Sequence, residues 1–149
     1  FIEPDNPKGL RSLADLTRPD LRFVNREAGS GTRMLLELML NGAGIAHKKI
    51  NGFENTEFTH SAVAAFIASG MADVGFGVQT AAQRFGLGFI PLVRERYFFA
   101  LPAASLQDPL IRSVIDILQS DSFRKVVNNL AGYDATDMGK IQTIKEAFG

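Results

Sequence analysis

The 149-residue chain predicts a layered α/β fold with a largely parallel sheet. Short apolar runs alternate with stretches whose apolar residues recur at helical spacing. Glycine or a Ser/Thr pair stands at most of the junctions between them, where helices start and stop. Apolar residues make up 46% of the chain, enough for the core of one domain.

The opening Phe1-Ile2-Glu3-Pro4-Asp5-Asn6-Pro7 has no initiator Met and is stiffened by two prolines, so it reads as a connector from something upstream. Gly9 to Leu16 predicts a short helix with Leu10, Leu13 and Leu16 on one side, ended by Pro19. Leu21 to Asn25 is a compact strand, and the Gly/Ser loop Arg26 to Thr32 follows it. Met34, Leu35, Leu38 and Met39 then recur at helical spacing until Gly42 and Gly44. Lys49 to Phe53 is a second candidate strand. Thr59 is a good N-cap for a helix that carries Val63, Phe66 and Ile67 inward and stops at Gly70. Ala72 to Gly77 predicts a buried strand, Gln79 to Phe85 a short helix, and Leu87 to Val93 and Tyr97 to Leu101 two more strands. Two amphipathic helices close the compact part. One uses Leu110, Ile111, Val114, Ile115 and Leu118, the other Phe123, Val126, Val127 and Leu130.

Composition excludes several classes. Sixteen basic against sixteen acidic residues give a formal charge of zero, whereas a nucleic-acid surface needs a basic excess for phosphate contacts. No apolar run is long enough to cross a bilayer, so no membrane partner is expected. Cysteine is absent, which removes disulfides and thiolate metal sites, and His47 and His60 are too few for a His-rich centre. Neither a metal nor another cofactor is expected. No Ser/His/Asp elbow, HExxH or paired-carboxylate pattern supports catalysis, so no catalytic residue is assigned and the chain is not expected to be an enzyme.

The sharpest chemical feature is the junction Val24-Asn25-Arg26-Glu27-Ala28-Gly29-Ser30-Gly31-Thr32-Arg33. A strand ends, glycines permit close backbone approach, and a helix begins near Gly31. The first N–H groups of a helix lack intrahelical partners and carry partial positive charge. Ser30 and Thr32 add hydroxyls, and Arg26 and Arg33 add charge, so the stretch has the ingredients of an oxyanion cradle. A capped helix after a tight turn, with solvated arginines, explains the pattern equally well. It is neither a Walker A loop nor a dinucleotide fingerprint. A second helix start, Thr59-His60-Ser61, repeats the design, although simple capping is the more economical local explanation. Tyr97 opens an apolar strand and its phenol is either a ligand donor or a core-edge group. Asp73 is read as structural.

These stretches together resemble the PBP-like domains related to molybdate-binding proteins and the wider type II periplasmic-binding fold. The resemblance rests on Asn6-Pro7-Lys8-Gly9 with Leu13-Ala14-Asp15-Leu16, and on Phe23-Val24-Asn25-Arg26 leading into Gly29-Ser30-Gly31-Thr32-Arg33. It continues through Thr59-His60-Ser61-Ala62-Val63-Ala64 to Ala68-Ser69-Gly70-Met71-Ala72-Asp73-Val74-Gly75, then Phe89-Ile90-Pro91-Leu92 and Tyr97-Phe98-Phe99. It implies a three-layer α/β/α fold with an anion between two lobes, one complete and one partial. Residues 1–149 would form one ligand-binding domain fragment, with 20–95 as the binding lobe and 1–19 and 96–149 as hinge and part of the second lobe. Gly29 to Arg33 and Thr59 to Ser61 would face the cleft, and Tyr97 would reach the oxyanion from a hinge strand. The family's first segment, which supplies the opposite wall, is expected upstream of Phe1.

The resulting expectation is a non-catalytic sensor of a small oxyanion, molybdate or tungstate first, acting on an attached transcription-factor or molybdopterin-biosynthesis module. Its partners would be the anion, the missing segment or fused domain, and a second copy in a homodimer. Cytoplasmic location is expected, with the periplasm as the alternative for a transport receptor. Two rivals remain: a receptor for a small organic carboxylate clamped by Arg26 or Arg33, and a regulatory or assembly domain with a vestigial cleft.

Overall fold

The computed structural model describes residues 1–149, which form two compact units, Phe1–Val93 and Arg94–Gly149. In the first unit three short strands are each followed by a helix: β1 (Phe23–Arg26), α1 (Gly31–Gly42), β2 (Thr56–Glu57), α2 (His60–Ala68), β3 (Val74–Gly75) and α3 (Gln79–Arg84). The strands form a parallel sheet in the order β2-β1-β3. Asn25 pairs with Thr56 and Arg26 with Glu57 on one side, and Phe23 pairs with Val74 on the other.

The alternation of side chains along β1 divides the core into two clusters. Phe23 packs with Leu21, Leu36, Leu40, Ile50 and Phe53, whereas Val24 packs with Val63, Ala64, Ile67, Ala81 and Ala82. Helix α1 therefore covers one face of β1, and α2 and α3 cover the other. Parallel strands joined by helices require covered faces, and complete burial of Val24 meets that requirement. At Gly75 an added Cβ would meet Val63 Cγ1 at 2.7 Å, so α2 can lie this close to β3 only over glycine.

The segment before residue 20 packs into this first unit. Ile2, Leu10 and Leu16 are buried in the Phe23 cluster, and Phe1 in the Val24 cluster. Ile2 forms antiparallel bridges to Val74 on one side and Gly88 on the other. A short 3-10 turn spans Leu13–Thr17 where the spacing predicts a helix from Gly9.

Several expectations are corrected. Lys49 to Phe53 is no strand: a 3-10 turn at His47–Lys49 leads into Gly52, whose φ of 88° brings it against the Phe23 carbonyl. The second strand lies further on, at Thr56. Leu87 to Val93 contributes only the Gly88 bridge, and Tyr97 to Leu101 finds no ladder partner. On α1 the inward positions are Arg33, Leu36 and Leu40, while Met34 and Leu38 face solvent. Four apolar residues at helical spacing sit beside a second set, and only contact with the sheet selects between them.

The second unit holds α4 (Pro109–Gln119), α5 (Asp121–Asn128) and α6 (Ile144–Phe148). Each begins on a side-chain cap: Asp108 accepts from Leu110 N, Ser120 from Phe123 N, and Thr143 shares a capping box with Glu146. Ala135 is its one buried apolar residue. Leu110, Val114, Val126 and Leu130, predicted as inward-facing, are exposed.

Candidate functional site at the carboxyl edge of the sheet

β1 and β2 end side by side. Arg26 is in register with Glu57, and Glu27 N donates to the Glu57 carbonyl at 3.2 Å. Because the strands are parallel, both following loops leave from one edge, and both lead directly into helices. These helices lie on opposite faces of β1, so their N-termini flank the carboxyl edge of the sheet. Open α/β sheets bind ligands at this kind of edge.

The loop after β1 turns at Gly29, with φ 88°. Ser30 is fully engaged in shaping it: its N–H and hydroxyl donate to the Glu27 carbonyl, and its Oγ accepts from Arg33 N at 3.2 Å. Thr59 plays the same capping part for α2, accepting from Ala62 N at 3.0 Å. The N–H groups of Gly31 and Thr32 on α1, and of His60 and Ser61 on α2, have no partner within the chain. The hydroxyls of Thr32 and Ser61 are free as well. Each helix thus presents two amides and one hydroxyl, with the dipole adding partial positive charge.

Two side chains tie the loops together. Arg26 Nη2 donates to the Phe58 carbonyl at 2.9 Å, while its Nε is sealed without a partner. His60 is half-buried, with Nδ1 sealed and unpaired. An added Cβ at Gly77 would lie 2.9 Å from that Nδ1 and against the Phe1 ring, so the loop after β3 closes directly on the imidazole. Burial, and then the Arg26 charge, hold the His60 pKa below its ordinary value.

Arg33 does not offer a free cation. Its guanidinium pairs with Glu37 at 2.9 Å and Glu54 at 3.4 Å and lies over the Phe53 ring, on which His47 stacks at 4.5 Å. Tyr97 lies in the second unit with its side chain exposed, and its pKa is raised by partial burial and by Glu95. Asp73 is a structural anchor. It accepts from Arg22 N at 2.7 Å and pairs with Arg22 Nη2 at 2.6 Å and Lys8 Nζ at 3.1 Å. The carboxyl edge also includes Gly77 and Phe1, which the sequence reading missed. The repeated glycines of Val74-Gly75-Phe76-Gly77 are the signal that marked a close approach there. No cluster of His, Asp or Glu gathers to hold a metal ion, and no helix is long and apolar enough to cross a membrane.

A parallel α/β unit with two open helix N-termini at one sheet edge is a ligand-binding architecture. The chain belongs to the PBP-like family: the model of the PBP superfamily domain matches residues 1–119. It is 35% identical over 141 residues to the uncharacterized protein YvgK of Bacillus subtilis (strain 168), covering 95% of this chain and 45% of that protein. It is also 33% identical over 111 residues to an uncharacterized protein in the ferredoxin 2Fe-2S gene 5' region of Clostridium pasteurianum, covering 74% of this chain and 98% of that protein. The chain therefore spans less than half of the Bacillus relative. No solved structure matches it.

Proposed function

We propose that this chain binds a small, fully ionised oxyanion, of the molybdate or tungstate type, and performs no chemistry on it. The observation that carries the reading is the pairing of free donors at one edge: Gly31, Thr32, His60 and Ser61 amides with the Thr32 and Ser61 hydroxyls. All are uncharged, and several such donors suit a compact anion. An organic carboxylate is less well served. Arg33 is engaged by two glutamates, and Arg26 already spends one guanidinium nitrogen on Phe58. In this reading the first unit belongs to a binding lobe, and a second lobe closes over the anion. Closure biases an attached regulatory or biosynthetic module, and differential affinity of the ligand for the closed state drives it. A cytoplasmic setting suits such a sensor.

Calorimetric titration with molybdate, tungstate, sulfate and phosphate, and separately with succinate and glutamate, tests the proposal. Oxyanion binding that weakens at least tenfold in Thr32→Ala/Ser61→Ala is expected. Binding of the carboxylates alone, or affinity unchanged in the double variant, would refute it.

A further inference from the structure

The contact between His60 and the loop after β3 carries a consequence independent of any ligand. His60 Nδ1 is sealed with no hydrogen-bond partner, and the ring rests against Gly77 at a distance that admits no side chain there. The opposite nitrogen, Nε2, is neither sealed nor bonded, so it is the open end of the ring. A buried donor without an acceptor is rarer than a buried acceptor without a donor. The neutral ring therefore places its hydrogen on Nε2 and turns its Nδ1 lone pair inward.

We infer that His60 is an acid-sensitive latch: its neutral ring locks the start of α2 to the loop after β3, and proton uptake at the sealed Nδ1 releases that contact. A proton on Nδ1 would stand in the sealed space with no acceptor, which is costly for a neutral donor and more so for a cation. The surroundings offer no relief. From β1 comes Arg26, whose charge bears on the ring and repels an imidazolium. The loop after β3 contributes Phe76, Gly77 and Val78, which carry no titratable group. From the N-terminal segment come the Phe1 ring and the Phe1 amine, which donates to the Gly75 carbonyl at 2.6 Å and whose pKa burial lowers to about 5. Swinging the ring outward, so that both nitrogens meet water, is the least costly response. That motion breaks the contact of the imidazole with Gly77.

Nitrogen-15 NMR of the imidazole rings between pH 7.5 and 4.5 tests the latch on the wild-type chain. The expected neutral form has hydrogen on Nε2, and the amides of Gly77 and Val78 shift in concert with ring titration, at a pH below that of an ordinary histidine. In His60→Gln the concerted shift is lost, whereas in His47→Gln it persists. A neutral form with hydrogen on Nδ1, or titration of His60 that leaves Gly77 and Val78 unmoved, overturns the inference. The oxyanion titrations use a separate readout, so the two readings fail independently.

Discussion

Replacing Asp73 with Asn tests the anchor that holds β1 and β3 to the N-terminal segment. The carboxylate is only 4% exposed, yet it accepts from Arg22 N, from the Arg22 guanidinium and from Lys8 Nζ. Those donors, with the Arg22 guanidinium foremost, hold its pKa at about 2 against an ordinary 3.8. A depression of that size corresponds to about 2 kcal/mol of linkage. Arg22 is 51% and Lys8 31% exposed, so water screens the pair and the contribution falls to about 1–2 kcal/mol. The sign follows from the depressed pKa. The stabilisation is fully present above 3.8, where the unfolded carboxyl is ionised, and is lost as pH falls from there towards 2. Asp73→Asn adds a donor facing the Arg22 guanidinium, while an amide oxygen can still accept from Arg22 N. Urea unfolding at pH 7 and pH 3 measures both effects. The variant should lose about 1–2 kcal/mol at pH 7, with a smaller difference from wild type at pH 3. A loss below about 0.5 kcal/mol at pH 7, the range of ordinary surface changes, would refute the anchoring role. So would a deficit that does not shrink with acid.

Other substitutions separate scaffold from site. Ser30→Ala removes the acceptor for Arg33 N and should cost about 1 kcal/mol in thermal or urea unfolding. Thr32→Ala and Ser61→Ala remove hydroxyls with no partner in the chain, so their unfolding midpoints should stay near wild type while oxyanion affinity falls. Leu36→Ala empties a fully buried position between α1 and the sheet and should cost about 2–5 kcal/mol by denaturant unfolding. Gly77→Ala forces a methyl group against Phe1 and the His60 ring, and crystallography or NMR should show the imidazole displaced.

The class of fold was legible because its signals are local. Alternation of apolar runs with helical spacing marks βα units, and Ser30, Thr59 and Gly70 punctuate them through capping and chain reversal, which depend on a few neighbouring residues. Both helix starts at Gly31 and His60 fall where the sequence places them. Strand assignment failed where a partner decides the matter. Tyr97 to Leu101 is as apolar and aromatic as β1, yet no neighbouring chain supplies a ladder for it. The ambiguity on α1 had the same origin. Met34 and Leu38 are as apolar as Leu36 and Leu40, and the sheet buries only the second pair.

The sequence by itself determined the βα order, the caps and the two glycine-rich helix starts, since each depends on backbone preferences within a turn or two. Only the tertiary structure decided which donors stay free. Arg33 is of the right type for an anion site, but Glu54 and the Phe53 ring, twenty or more residues along the chain, engage it beside its local pair with Glu37. The closeness of Gly77 to His60, seventeen residues apart in the chain, likewise exists only because β3 returns beside β1. Residue type sets what a group can bond; three-dimensional neighbours set whether that capacity is already used.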